Sequence, residues 1–126
     1  MKSKKVLIID DEEDIREVAQ ISLEIMAGLE VIVARTSREG IQKAETEQPD
    51  AILLDVMLPD MDGLITFEQL QSNPHTKHIP VILLTAKVQD SDQRRFATLG
   101  IKAVITKPFK PAQLAEQLLV ALNWSK

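Results

Sequence analysis

Five short apolar runs recur along the chain: Lys5–Ile9, Glu30–Ala34, Ala51–Leu54, Pro80–Leu84 and Ala103–Thr106. Each is four or five residues long, a length that suits a strand better than a helix. The segments between them carry helical spacing. In Glu13–Met26 the residues Ile15, Val18, Ile21 and Ile25 follow at intervals of three, three and four, with Gly28 as a stop. Ser37 can cap a second helix reaching about Glu47. A loop rich in Pro, Asp and Gly, Val56–Gly63, leads into a third helix to about Asn73, with Leu64, Phe67 and Leu70 on one face. Asp92–Leu99 is a weaker fourth helix, stopped by Gly100. Pro111–Asn123 is the fifth; Pro111 suits its first turn, and Leu114, Leu118, Ala121 and Leu122 make its apolar stripe.

Strands alternating with helices predict a doubly wound α/β domain, a parallel sheet covered on both faces. Ala51–Leu54 is apolar throughout, as a strand buried on both sides should be. Ligands of such sheets bind beyond the C-terminal ends of the strands. The residues at or just past those ends are Asp10 and Asp11, Asp55, Thr85 and Lys107. Three carboxylates can hold a hard divalent cation, and a hydroxyl and an ammonium can hold phosphoryl oxygens. Taken singly, each residue has a plainer use. Asp10 and Asp11 can cap the first helix, and Asp55 can start a turn with Pro59 and Gly63. Thr85 can serve strand propensity and Lys107 the solvated surface. Their coincidence at one sheet edge favours phosphoryl transfer to an aspartate.

Composition narrows the field. The 126 residues fit one domain, and 44% hydrophobic with 27% charged residues describe a globular, water-compatible chain. No apolar run approaches the roughly 18 residues of a membrane span, and the four-residue run after Lys5 is too short for a signal-peptide core. The cytoplasm is therefore the expected location, without membrane insertion. The absence of cysteine excludes disulfides and thiolate chemistry. Net charge is −4, with no basic cluster beyond Lys2, Lys4 and Lys5, so direct nucleic-acid binding is not expected. His75 and His78 share a polar segment without a nearby third ligand, which reads as solvation rather than a metal site.

Four stretches carry a specific resemblance: Leu7–Glu13 (LIIDDEE), Leu53–Gly63 (LLDVMLPDMDG), Val81–Lys87 (VILLTAK) and Ile105–Phe109 (ITKPF). In order and spacing they resemble the signatures of the CheY-like receiver domain of bacterial two-component response regulators, along essentially the whole chain. The resemblance implies a flavodoxin-like (βα)5 fold with strand order 2-1-3-4-5. It implies that Asp55 is the phosphoacceptor, fed by a sensor histidine kinase, a histidine phosphotransfer protein or a small acyl phosphate. Asp10, Asp11, Asp55 and the backbone carbonyl of Met57 would hold Mg²⁺, for which Mn²⁺ can substitute. Lys107 and Thr85 would bind phosphoryl oxygens, and the Lys107–Pro108 peptide would be cis. Thr85 and residue 104 would be the switch positions. Kinases would dock near the first helix, which offers Glu13, Arg16, Glu17 and Glu24. The fourth helix, with Arg94 and Arg95, would contribute to a dimer or target face.

The family usually carries Tyr or Phe three residues before the lysine; here that residue is Val104, and the chain has no tyrosine. A branched side chain is stiff and removes far less area from water than a ring. Phosphotransfer is thus expected to be intact and the readout altered. Met57 and Lys87 occupy positions that tune phosphoryl lifetime in the family.

The expected whole is a single receiver domain, 1–126, without an output domain, monomeric or weakly dimeric. It would signal through a downstream protein target and would not be a metabolic enzyme, though it would assist its own phosphorylation and dephosphorylation. The alternatives are a degenerate receiver that binds partners constitutively, or an aspartyl-phosphate phosphatase. The latter wants a second aspartate two residues after the nucleophile, where this chain has Met57. A nucleotide-binding flavodoxin-like protein lacks support, since neither a dinucleotide glycine fingerprint nor a P-loop is present.

Overall fold

Five parallel strands run side by side: β1 (Lys5–Ile9), β2 (Glu30–Ala34), β3 (Ala51–Asp55), β4 (Val81–Thr85) and β5 (Ala103–Thr106). Their order is β2-β1-β3-β4-β5, as expected for the flavodoxin-like arrangement. The structure, a computed structural model, describes residues 3–86 and 90–124; the side chains of residues 90–93 lie outside that description. Five helices connect and flank the strands: α1 (Glu13–Ile21), α2 (Ser37–Glu47), α3 (Gly63–Ser72), α4 (Asp90–Leu99) and α5 (Pro111–Leu122).

Alternation along each strand divides the core in two. Leu7, Ile9, Ile52, Leu54 and Leu83 pack with Phe67, Leu70 and Phe96 from α3 and α4. Val6, Ile8, Leu53, Ile82 and Leu84 pack on the other face with Ala19 of α1 and Leu114 and Leu118 of α5. Burying an aliphatic side chain of this size fully contributes about 1.5–3 kcal/mol. Because both faces are apolar, side-chain alternation alone does not fix register. The charged strand ends do, since a slip would carry Asp10 or Lys5 into the sheet.

That register sets up the sheet edge. Ile9 pairs with Leu54, so Asp10 emerges beside Asp55. Asp55 pairs with Leu84, and Thr85 with Thr106, so Lys107 lies one residue beyond the Thr85 level. The strand order reverses between β1 and β3, the place where open α/β sheets present a crevice.

Two local expectations are corrected. The stripe read through Ile15, Val18, Ile21 and Ile25 does not all face inward: Ile21 is 54% and Ile25 77% exposed, whereas Ala19 and Leu23 are fully buried. The first helix passes into a π-helical turn, Ser22–Met26. There Ser22 is buried and its hydroxyl donates to the Pro111 carbonyl at the start of α5. A π-turn shifts the phase of the residues after it. The second correction concerns α2. Its N-cap is Thr36, extended, with Oγ1 accepting from the Glu39 N–H at 3.1 Å. Ser37 is the first helical residue, and its hydroxyl lies 2.6 Å from that of Thr66, both groups fully buried.

Candidate functional site at the C-terminal edge of the sheet

Asp10 closes β1 with its backbone: its N–H donates to the Ala34 carbonyl at 3.0 Å. Its side chain is fully buried. Oδ1 accepts from the Glu12 N–H at 2.8 Å, tightening the turn into α1. The Asp10 carbonyl accepts from Arg16 Nη1 at 2.9 Å, so α1 is tied back to the same residue. Oδ2 of Asp10 receives no hydrogen bond of good geometry among the described residues. Its compensation is the Lys107 ammonium, with Nζ at 2.7 Å.

Lys107 reaches the site because its own N–H donates to the Thr85 carbonyl at 2.8 Å, continuing the β4–β5 pairing by one residue. The Lys107–Pro108 peptide is cis. Besides Asp10, Nζ stands 3.3 Å from Asp55 Oδ2 and 3.3 Å from Glu12 Oε1. Burial works against this ammonium, but the close ion pair with Asp10 and the nearby charge of Asp55 outweigh it, holding it above the usual lysine value.

Asp55 ends β3 and is almost completely buried. Its Oδ1 accepts from the Met57 N–H at 3.1 Å. Burial pushes its carboxyl up, and the negative charge of Asp10 adds to the effect. The Met57 hydrogen bond and Lys107 oppose this without cancelling it. A buried carboxylate set beside another charge of the same sign suits a site that holds cations. Carboxylate oxygens of Asp10, Asp11, Glu12 and Asp55 all lie within 4.8 Å of one another. This all-oxygen donor set, with the buried Oδ2 of Asp10 lacking a hydrogen bond, fits a hard divalent cation such as Mg²⁺.

The loop after β3 is held shut. Gly63 N–H donates to the Val56 carbonyl at 2.8 Å, and Met57 pairs with Asp62 in an antiparallel bridge. A Cβ on Gly63 would sit 2.5 Å from Val56 Cα and 2.6 Å from the Asp55 carbonyl oxygen, so only glycine fits. Asp62 caps α3 by accepting from the Leu64 N–H at 2.7 Å. Asp60, at the tip, accepts from the N–H groups of Ser37 at 2.9 Å and Arg38 at 3.2 Å. The slight desolvation of this exposed residue would raise its carboxyl, but these hydrogen bonds prevail and hold it below the usual carboxylate value.

The structure thus brings Asp10, Asp11, Asp55 and Lys107 into one cluster and places Thr85 at the adjoining strand end. Met57 enters through its N–H, while its side chain points to solvent, 77% exposed. Lys87 lies outside the described residues. Val104 is half-buried on β5, against the cluster that includes Phe96 and Ile101. Two contributors were not singled out from the sequence. Glu12 is a third acid in the first motif, but only the fold shows its carboxylate on Lys107. Asp60 reads as an ordinary turn residue, and its clamp on α2 spans 23 positions.

Residues 6–119 match the response regulator receiver domain family. The chain belongs to that family. This receiver domain is 40% identical over 124 residues to the alkaline phosphatase synthesis transcriptional regulatory protein PhoP of Bacillus subtilis, covering 98% of this chain and 50% of that protein. It is 38% identical to the phosphate regulon transcriptional regulatory protein PhoB of Pseudomonas aeruginosa, covering 98% of this chain and 53% of that one. The chain spans about half the length of these curated relatives. Among solved structures it is similar to the chemotaxis response regulator CheY4 of Vibrio cholerae, with TM-score 0.87 and 29% identity over 95% of this chain and 99% of that one. A CheY-like receiver domain protein from Methanospirillum hungatei gives 0.84 and 30%, covering 97% and 95%. The receiver domain is a signalling domain. Among its described residues, no helix is long and apolar enough to cross a membrane.

Proposed function

We propose that Asp55 is the phosphoacceptor, taking a phosphoryl group from a phosphohistidine on a sensor kinase or phosphotransfer protein. The observation that carries this reading is the pairing of a buried strand-end carboxylate with a lysine ammonium 3.3 Å away, beside a second buried carboxylate. A carboxylate oxygen of Asp55 attacks phosphorus. The P–N bond breaks, its electron pair returns to the imidazole, and an acyl phosphate remains on Asp55. With a small acyl phosphate as donor, the P–O bond breaks and a carboxylate leaves. The reaction needs positioning and charge neutralisation rather than proton transfer.

Mg²⁺, held by Asp10, Asp11, Asp55 and the Met57 carbonyl, would supply neutralisation of charge on the phosphoryl oxygens. Mn²⁺ is expected to replace it. Lys107 donates to one phosphoryl oxygen as a point charge, and Thr85 to another through its hydroxyl. The same groups assist loss of the phosphoryl group to water. Asp60 holds the tip of the loop that carries Met57, so it positions the site without touching the reacting atoms. Residues 1–126 work as one receiver unit in the cytoplasm, monomeric or weakly dimeric. The unit signals by changed contact with a downstream protein, without direct nucleic-acid contact of its own.

The test is the intact mass after incubation with Mg²⁺ and acetyl phosphate. One phosphoryl increment is expected in the wild type, and none without Mg²⁺ or in Asp55→Asn. An increment that survives in Asp55→Asn would overturn the assignment. No increment from either acetyl phosphate or a histidine kinase would favour a constitutive binding module.

A further inference from the structure

Glu12 is more than a neighbour of the cation site. We infer that it is the exchangeable counter-ion of Lys107, the partner that a phosphoryl group on Asp55 displaces; this rests on the phosphoacceptor reading above. A lysine ammonium has three N–H donors and no more. In this structure three carboxylates share Nζ: Asp10 at 2.7 Å, Asp55 at 3.3 Å and Glu12 at 3.3 Å. A phosphoryl oxygen therefore gains Lys107 only by taking the place of one of them.

Burial decides which one yields. Asp10 is fully buried, and its Oδ2 has no hydrogen bond to fall back on among the described residues, so releasing Lys107 would strand a charge. Asp55 is the residue that receives the phosphoryl group. Glu12 has 59% of its side chain exposed, so water replaces Lys107 at little cost. Exposed ion pairs are weak for this reason. Glu12 thus competes with the phosphoryl group, weakening its binding and raising the threshold for phosphorylation.

The experiment measures beryllofluoride affinity with Mg²⁺, from amide shifts of Thr85 and Ile105, together with the half-saturating acetyl phosphate concentration. Glu12→Gln is expected to bind beryllofluoride roughly two- to five-fold more tightly, the range an exposed ion pair commands. Its half-saturating acetyl phosphate concentration should fall in parallel. Glu12→Asp keeps the charge but shortens the reach, and should shift in the same direction. Glu13→Gln removes the same charge one residue away and should match the wild type. Equal affinities for Glu12→Gln and Glu13→Gln would overturn the inference, as would an unshifted Glu12→Asp. Failure of the wild type to bind beryllofluoride at all would instead overturn the phosphoacceptor reading, and the inference with it.

Discussion

Lys107 and Val104 stand three residues apart, one just beyond β5 and the other within it. Three carboxylates surround the first, and its ammonium is held in place from several sides. The second is a half-buried valine bordering a cavity of about 220 Å³ lined by Phe96, Ala97, Ile101, Lys102 and Ala103. The proposed phosphoryl site is thus assembled beside a position with space to spare. Capture of the phosphoryl group and its transmission to the surface are separable properties of this fold, and here the first is the more tightly built.

The largest effect should come from the built end. Replacing Lys107 with methionine keeps most of the volume but leaves the buried Asp10 without its cation. Breaking a buried pair in this way costs about 3–5 kcal/mol, measurable as a lowered urea midpoint. Phosphoryl uptake should be lost as well. Adding Asp10→Asn to Lys107→Met should recover part of the stability, because the stranded charge is then gone. A double variant no more stable than Lys107→Met would show that packing, not charge, was lost.

Gly63→Ala comes next. The added methyl meets backbone atoms of Val56 and Asp55, which have nowhere to go. Overpacking of this kind costs about 1–3 kcal/mol, and here the strain falls on the loop carrying Met57. Acetyl phosphate labelling should slow along with the loss of stability. Normal labelling in a destabilised Gly63→Ala would mean that the loop yields without moving the site.

The crowding of Asp55 predicts a pH dependence with a definite sign. Its carboxyl is raised above the ordinary value of 3.8, burial being the main cause. The folded protein therefore holds that proton more tightly than the unfolded chain does. The associated stability is fully present below the ordinary carboxylate value and is lost as pH rises through the raised one. In EDTA, Asp55→Asn should accordingly melt above the wild type at neutral pH, with the gap closing as pH falls through the raised value towards 3.8. An equal melting temperature at neutral pH would contradict the carboxylate crowding. Mg²⁺ should act in the same direction on the wild type. At ten times its dissociation constant it adds about 1.4 kcal/mol, a rise of about 5 °C for a domain this size.

The sheet edge was legible because its chemistry is written at strand ends. Asp10, Asp55, Thr85 and Lys107 each follow an apolar run that can only be a covered strand, and parallel strands bring such ends together. What stayed hidden depends on contacts between distant segments. The phase of the first helix is reset at Ser22, whose hydroxyl partner lies 89 residues away in Pro111. A spacing rule applied to Ile21 and Ile25 has no access to that. Thr36 and Ser37 are both good caps by composition, and the buried partner Thr66 decides between them. Asp60 reads as turn chemistry in the sequence, yet it accepts from the first N–H groups of α2. Glu12 was visible as an acid, but its competition for Lys107 spans 95 positions.

The smallest effect tests the loose end of β5. Val104→Tyr supplies the ring that most of the family carries, next to a cavity able to accept part of it. The substitution should change stability by less than about 1.5 kcal/mol, since new apolar burial offsets the adjustment of Phe96 and Ile101. Phosphoryl uptake at Asp55 should be unaltered, because residue 104 packs against the apolar cluster that includes Phe96 and Ile101. The readout should differ. Beryllofluoride is expected to shift amides from Ile101 to Ile105 only modestly in the wild type and more strongly in Val104→Tyr, where a ring can change position behind Thr85. Equally large shifts in both proteins would mean that β5 and α4 respond without an aromatic lever. Thr85, through strand pairing with Thr106 and the carbonyl it offers to Lys107, would then be sufficient to carry the signal.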